Sequence, residues 1–119
     1  MPDATTTLAT LKDAVRRFTA ERCWEPFHTP KNLTMCLAVE AAELMEHFLW
    51  VEGEESLKVK EDEGALREVG EEMADVACLL FNLSYTLGID LSQAILDKMA
   101  KNALKYPADK YRGRSRAQD

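Results

Sequence analysis

Two carboxylate pairs, Glu40-x-x-Glu43 and Glu72-x-x-Asp75, are the residues of this 119-residue chain whose types and spacing carry chemistry. Three residues make nearly one helical turn, so each pair lies on one edge of a helix. The surroundings repeat as well: Leu37, Glu40, Ala41, Glu43, Leu44 and Phe48 match Val69, Glu72, Met73, Asp75, Val76 and Leu80 in register. On a wheel of about 100° per residue, Glu40 and Glu72 lie roughly 50–60° from the centre of an apolar stripe, and Glu43 and Asp75 about 60° further around. Two such helices side by side would gather four carboxylates at the border between core and solvent. Repulsion and desolvation would raise their pKa values unless a cation entered. Hard divalent ions with oxygen ligands relieve that problem, and an all-carboxylate site with open water positions suits Mg²⁺ or Mn²⁺. Such an ion completes its shell with water and substrate phosphates, which points to phosphoryl chemistry. A di-iron bundle would instead need Glu-x-x-His on each of two helices. His28 sits between two prolines and His47 follows Leu44 by three residues, so that pattern is absent.

Four helical segments are expected to position these groups. Leu8, Leu11, Val15 and Phe18 predict a first helix over about Thr6–Arg22. Pro26 and Pro30 then exclude a continuous helix across 23–30. Leu33, Leu37, Ala41, Leu44, Phe48 and Val51 predict a second helix over about Lys31–Val51, followed by a charged loop over 52–64. Leu66, Val69, Met73, Val76, Leu80, Leu83 and Leu87 predict a third over about Ala65–Leu87, stopped by Gly88. Asp90 caps a fourth (Leu91, Ala94, Ile95, Met99) that ends near Pro107. No segment alternates as a strand would, so the expected class is all-α: a bundle of four main helices. Met35, Cys36, Leu49 and Trp50 on the second helix, and Cys78, Leu79 and Tyr85 on the third, give both helices a second apolar face. A homodimer or homotetramer is expected to cover those faces.

Composition limits the rest. The length suits one domain, residues 1–119, with a core over about 6–107 and a basic tail over 108–119 that looks poorly ordered by itself. The formal charge is −6, yet residues 38–75 hold 13 acidic and 3 basic side chains, a local balance of −10. An acidic centre of this kind is the opposite of a nucleic-acid surface. No run of about 18 apolar residues exists for a membrane span, and Met1–Thr10 lacks the pattern of a secretory signal. Cys23, Cys36 and Cys78 are odd in number and without a C-x-x-C pair, so they read as buried thiols in a reducing, cytoplasmic setting.

A phosphate substrate needs cationic partners. Lys98, Asn102 and Lys105 recur at i, i+4 and i+7 on one helical face, followed by Tyr106, and Lys31 with Asn32 opens the second helix, where backbone amides favour anions. The same lysines also suit ordinary complementation of a helix C-terminus. Trp24, Phe27, His28 and Trp50 could enclose a nucleobase, although Trp24 and Phe27 also fit packing beneath the bundle end.

These blocks, taken in order, resemble the MazG-like all-α nucleoside triphosphate pyrophosphatases, and within them the dCTP pyrophosphatase branch. The resemblance rests on Glu40-x-x-Glu43 and Glu72-x-x-Asp75, on Trp24-Glu25-x-Phe27-His28-x-Pro30-Lys31-Asn32-Leu33, on Phe48-x-Trp50, and on Lys98-Met99-x-x-Asn102-x-x-Lys105-Tyr106-Pro107, and it spans about residues 8–107. It implies Mg²⁺-dependent hydrolysis of a nucleoside triphosphate to the monophosphate and pyrophosphate. It implies Glu40, Glu43, Glu72 and Asp75 as metal ligands, with Glu71 or one of those four orienting the water. Lys98, Asn102, Lys105 and Tyr106 would hold phosphates, and His28 and Trp50, with Phe27 and Trp24, would enclose a pyrimidine. The implied assemblies are dimers or dimers of dimers. Two positions depart from the pattern: Val39 precedes Glu40 where many relatives carry a second glutamate, and Leu79 replaces an aromatic. A non-enzymatic acidic helical dimer that binds a basic protein, and a nucleotide sensor without turnover, are the readings of other classes.

Overall fold

The computed structural model describes residues 1–114. They are all-α, with no strand among them, and separate into two compact units, Met1–Gly88 and the residues from Ile89 onward. The first unit holds α1 (Leu8–Glu21), α2 (Pro30–Glu46) and α3 (Glu63–Leu87), with 3₁₀ turns over Glu25–Phe27 and Glu55–Glu61. The second holds α4 (Leu91–Lys105) and the short α5 (Ala108–Tyr111).

Each long helix starts at a side-chain cap. Thr7, Thr29, Asp62 and Asp90 accept from the amides of Thr10, Asn32, Ala65 and Gln93 at 3.1, 3.2, 3.1 and 2.9 Å, satisfying donors that the first turn leaves unpaired. Pro30 occupies the first position of α2, where its missing N–H costs nothing. α3 stops at Gly88, whose φ of 65° is easy for glycine. Three boundaries differ from the expectation. α2 ends at Glu46 rather than Val51, because the chain tightens into i→i+3 bonds at His47 and Phe48 (3.3 and 2.9 Å) and carries the apolar period on as turns. The expected loop over 52–64 contains the 3₁₀ turn over Glu55–Glu61 and the first residues of α3. α4 ends at Lys105, since Pro107 disfavours a helical Tyr106. The tail begins with α5 and is folded as far as Tyr111, while Arg116, within the tail expectation, lies outside the described residues.

α2 packs along α3, α1 also rests on α3, and the 3₁₀ turn over Glu55–Glu61 lies against α3. Between them only Leu33 and Val69 are buried apolar side chains, at 2% and 7% exposure. Met35, Val39, Leu49, Met73 and Tyr85 remain exposed. The third helix is therefore the backbone of this unit, and within the unit much of the apolar surface of α2 and α3 is left uncovered.

α1 closes in a left-handed turn. The Cys23 amide donates to the Ala20 carbonyl (3.0 Å) and the Trp24 amide to the Thr19 carbonyl (3.1 Å). That is the Schellman pattern, which needs a left-handed residue, and Cys23 fills the place at φ 53°. The motif turns Trp24 back onto Phe18, edge to face at 5.7 Å, with the Arg22 guanidinium on the same ring at 3.6 Å from its centroid. A β-carbon in this conformation is strained, so Cys23→Gly is expected to raise stability by about 1 kcal/mol in a denaturant titration. An unchanged or lower midpoint would count against the strained turn.

Candidate metal centre and base cleft

α2 and α3 bring Glu40, Glu43 and Glu72 together, with one carboxylate oxygen from each lying within 4.8 Å of the others. Glu40 and Glu72 are partly buried and Glu43 is exposed. The Oε2 atoms of Glu40 and Glu72 are shut off from solvent and have no hydrogen-bond donor. A buried carboxylate oxygen facing other carboxylates is costly, which is the physical signature of a cation site. The Glu40 carboxyl is accordingly pushed up to about 7. The neighbouring Glu43 side chain is the largest cause, followed by partial burial, the charges of Glu43 and Asp75, and the Glu72 side chain. The donor set is entirely carboxylate oxygen, as a hard divalent cation requires.

Of the four residues expected to share an ion, three form this cluster. Asp75 raises Glu40 by its charge and lines the space beside it, but its shorter side chain is not part of the 4.8 Å group. Glu71 is exposed, one residue and about 100° around α3 from Glu72. Glu46 and His47, which the sequence did not single out, border the cluster with Glu43 and Glu72 in an open depression.

On the Asp75 side the cluster opens into a cleft of about 540 Å³ between α1, α2 and α3. Glu40 and Asp75 stand at its acidic end, and Val15, Phe18, Trp24, Cys36, Cys78 and Leu79 supply apolar walls. Burial, and then the Asp75 charge, raises the Cys78 thiol, keeping it neutral. Thr19, His28 and Asn82 are the polar groups away from the carboxylates. The same three border a second cavity of about 490 Å³ with Arg16, Glu25, Tyr85 and Thr86, where Arg16 lies 4.4 Å from the Tyr85 ring centroid. The His28 amide donates to Glu25 (3.0 Å) and its carbonyl accepts from the Thr86 hydroxyl (3.5 Å), so the segment between the prolines is tied at both ends.

Of the expected base-enclosing residues, Trp24 and His28 line the cleft. Phe27 (67% exposed) and Trp50 (91% exposed) do not, and neither does the exposed Lys31. In the second unit Lys98, Asn102 and Lys105 share one face of α4. Lys105 Nζ lies 5.4 Å from the Tyr106 ring, which meets Tyr111 edge-on at 5.2 Å. The cysteines depart from the expectation of burial: Cys23 and Cys36 are exposed and Cys78 is half-buried, because Cys23 sits in a surface turn and Cys36 faces the open cleft. Thr19 and Asn82 were missed altogether. The available signal was their spacing, since Asn82 follows Asp75 by seven residues, two turns along the same face.

Known proteins resemble this chain in sequence and in fold. The chain is 40% identical over 113 residues to dCTP pyrophosphatase 1 of Homo sapiens, covering 90% of this chain and 65% of that protein. It is 38% identical over 107 residues to the Bos taurus protein of that name, covering 87% and 63%. It thus spans slightly under two thirds of the length of these relatives. A pyrophosphatase structure from Archaeoglobus fulgidus superposes with a TM-score of 0.78 at 35% identity, covering 90% of this chain and 98% of that one. The family model of the MazG-like family matches residues 36–118, from within α2 through α3 and α4, and the chain belongs to that family.

Proposed function

We propose that this protein is a nucleoside triphosphate pyrophosphohydrolase that cleaves the α–β phosphoanhydride of a pyrimidine deoxynucleotide, dCTP or a modified dCTP, releasing the monophosphate and pyrophosphate. One observation carries the reading: two solvent-shielded carboxylate oxygens without donors stand where an acidic cluster opens into an apolar cleft. The names of the relatives agree with it.

Glu40, Glu43 and Glu72, with Asp75 at the border, would hold Mg²⁺, or Mn²⁺ in its place. A bound ion of this kind neutralises phosphate charge and acidifies water. Glu71, or a cluster carboxylate that is free of the ion, orients the attacking water and takes its proton. Trp24 and His28 hold the base in the cleft, whereas Phe27 and Trp50 stand outside its walls. Lys31 offers a phosphate contact on the first unit, and Lys98, Asn102, Lys105 and Tyr106 form a phosphate-binding face on the second, each read by itself. The uncovered faces carrying Met35, Leu49 and Tyr85 fit a homodimer or homotetramer. Nucleotide-pool cleansing in the cytoplasm is the role such a reaction serves, and three unpaired cysteines suit a reducing compartment. Nucleic-acid and membrane partners have no place in this reading, given the acidic centre. Among the described residues no single helix is long and apolar enough to cross a membrane.

Two measurements test this reading. Glu40→Gln keeps the shape and removes a charge, so helical circular dichroism is expected to persist. Pyrophosphate release with Mg²⁺ is expected to fall by about 10³-fold or more, and near-wild-type turnover would refute the assignment. The second is the pH dependence of melting. Glu40 is raised from 4.5 to about 7, so the native state holds a proton that the unfolded chain has lost. Metal-free stability is therefore fullest below pH 4.5 and declines as pH rises through 7. Mg²⁺ at 100 times its dissociation constant adds about 2.7 kcal/mol. At one fixed Mg²⁺ concentration the gain should be larger at pH 8 than at pH 5, where the ion competes with the proton. An equal Mg²⁺ effect at both pH values would count against this site.

A further inference from the structure

Thr19 is 5% exposed, and its hydroxyl donates to Asn82 Oδ1 at 3.2 Å, a bond between α1 and α3 across 63 residues of sequence. A buried hydroxyl without that acceptor would bear a desolvation cost, so the contact fixes which end of the amide faces α1. Asn82 Nδ2 has no acceptor among the described residues, and Asn82 lines the cleft whose opposite end is Asp75 and Glu40. Seven residues of α3 separate Asp75 from Asn82, a rise of about 10 Å on one face. A sugar and a pyrimidine ring occupy a comparable span. The walls between are Leu79, Cys78 and Phe18, which contact a ring without reading its edge.

Resting on the nucleotide reading above, we infer that Asn82 is the residue that selects the base. Its Nδ2, aimed by the Thr19 hydroxyl, donates to a ring that presents acceptors at N3 and O2. Cytosine presents both, whereas thymine and uracil carry a hydrogen on N3 that would face the amide hydrogens. Thr19 acts as a positioning residue, holding the amide in the donating orientation. The substrate class is thereby narrowed to cytosine nucleotides, with substituents at other ring positions left to the apolar walls.

The experiment is pyrophosphate release from dCTP and dTTP with Mg²⁺, with kcat and KM measured separately for the wild type, Asn82→Leu, Asn82→Asp and Thr19→Val. The wild type is expected to prefer dCTP. Asn82→Leu should cut the dCTP/dTTP ratio of kcat/KM at least about tenfold, mainly through KM. Asn82→Asp, an acceptor facing the cleft, should shift the ratio toward dTTP, an outcome that loss of packing does not produce. Thr19→Val should lower the ratio in the same direction as Asn82→Leu. If Asn82→Leu fails to fold by circular dichroism, the Asn82→Asp ratio decides. A wild type that turns over both nucleotides equally, or a ratio unmoved in folded Asn82 variants, overturns the base-selecting role and leaves the enzyme assignment standing. A wild type that releases pyrophosphate from none of dCTP, dTTP and ring-modified dCTP overturns the functional reading, and this inference with it.

Discussion

Mutual repulsion among Glu40, Glu43 and Glu72 is the constraint around which the first unit is built. Three carboxylates with oxygens within 4.8 Å of one another, two of which also have an oxygen shielded from water without a donor, do not stabilise a helix pair. The packing of α2 on α3 nevertheless holds them there, around a core in which Leu33 and Val69 are the buried apolar side chains. Crowding these carboxylates on so small a core raises the Glu40 carboxyl. On the proposed reading a hard cation, suited to oxygen-only donors, would relieve that repulsion and bring phosphate within reach.

The cleft beside the cluster depends on how α1 ends. Its last residues are held by the Schellman bonds around Cys23, and these put Trp24 against Phe18, with both rings still partly exposed. The chain then makes a 3₁₀ turn, ties His28 to Glu25 and Thr86, and enters α2 through the Thr29 cap and Pro30. Two helix ends and one short turn thus place an indole and an imidazole on the walls of the cleft that the acidic pair borders. Local hydrogen bonding positions them, so this part of the cleft is built from backbone geometry as much as from packing.

α3 works as a ruler between the two ends. Glu72 and Asp75 lie toward the acidic cluster, Cys78 and Leu79 form the wall, and Asn82 stands at the far end, all on one face at helical spacing. One rigid helix therefore sets both the charge that would meet a triphosphate and the polar group that would meet its base, which keeps their separation constant. The exposed apolar residues on the remaining faces, Met35 and Tyr85 among them, leave room for further walls from another copy of the chain.

Much of this was legible in the residues alone. The all-α class, the four long helices and the carboxylate register follow from periodicity, because a helix repeats its faces at fixed intervals regardless of its neighbours. The caps at Asp90 and Gly88 were readable for the same local reason. The exposure of Cys36, the retreat of Asp75 from the three glutamates and the exposure of Phe27 and Trp50 were not, since each depends on the distance between elements far apart in sequence. The Thr19–Asn82 bond is the clearest case. The sequence by itself determined which side chains share a helical face; only the tertiary structure decided which faces meet, because a hydrogen bond across 63 residues is set by helix packing and leaves no trace in local spacing.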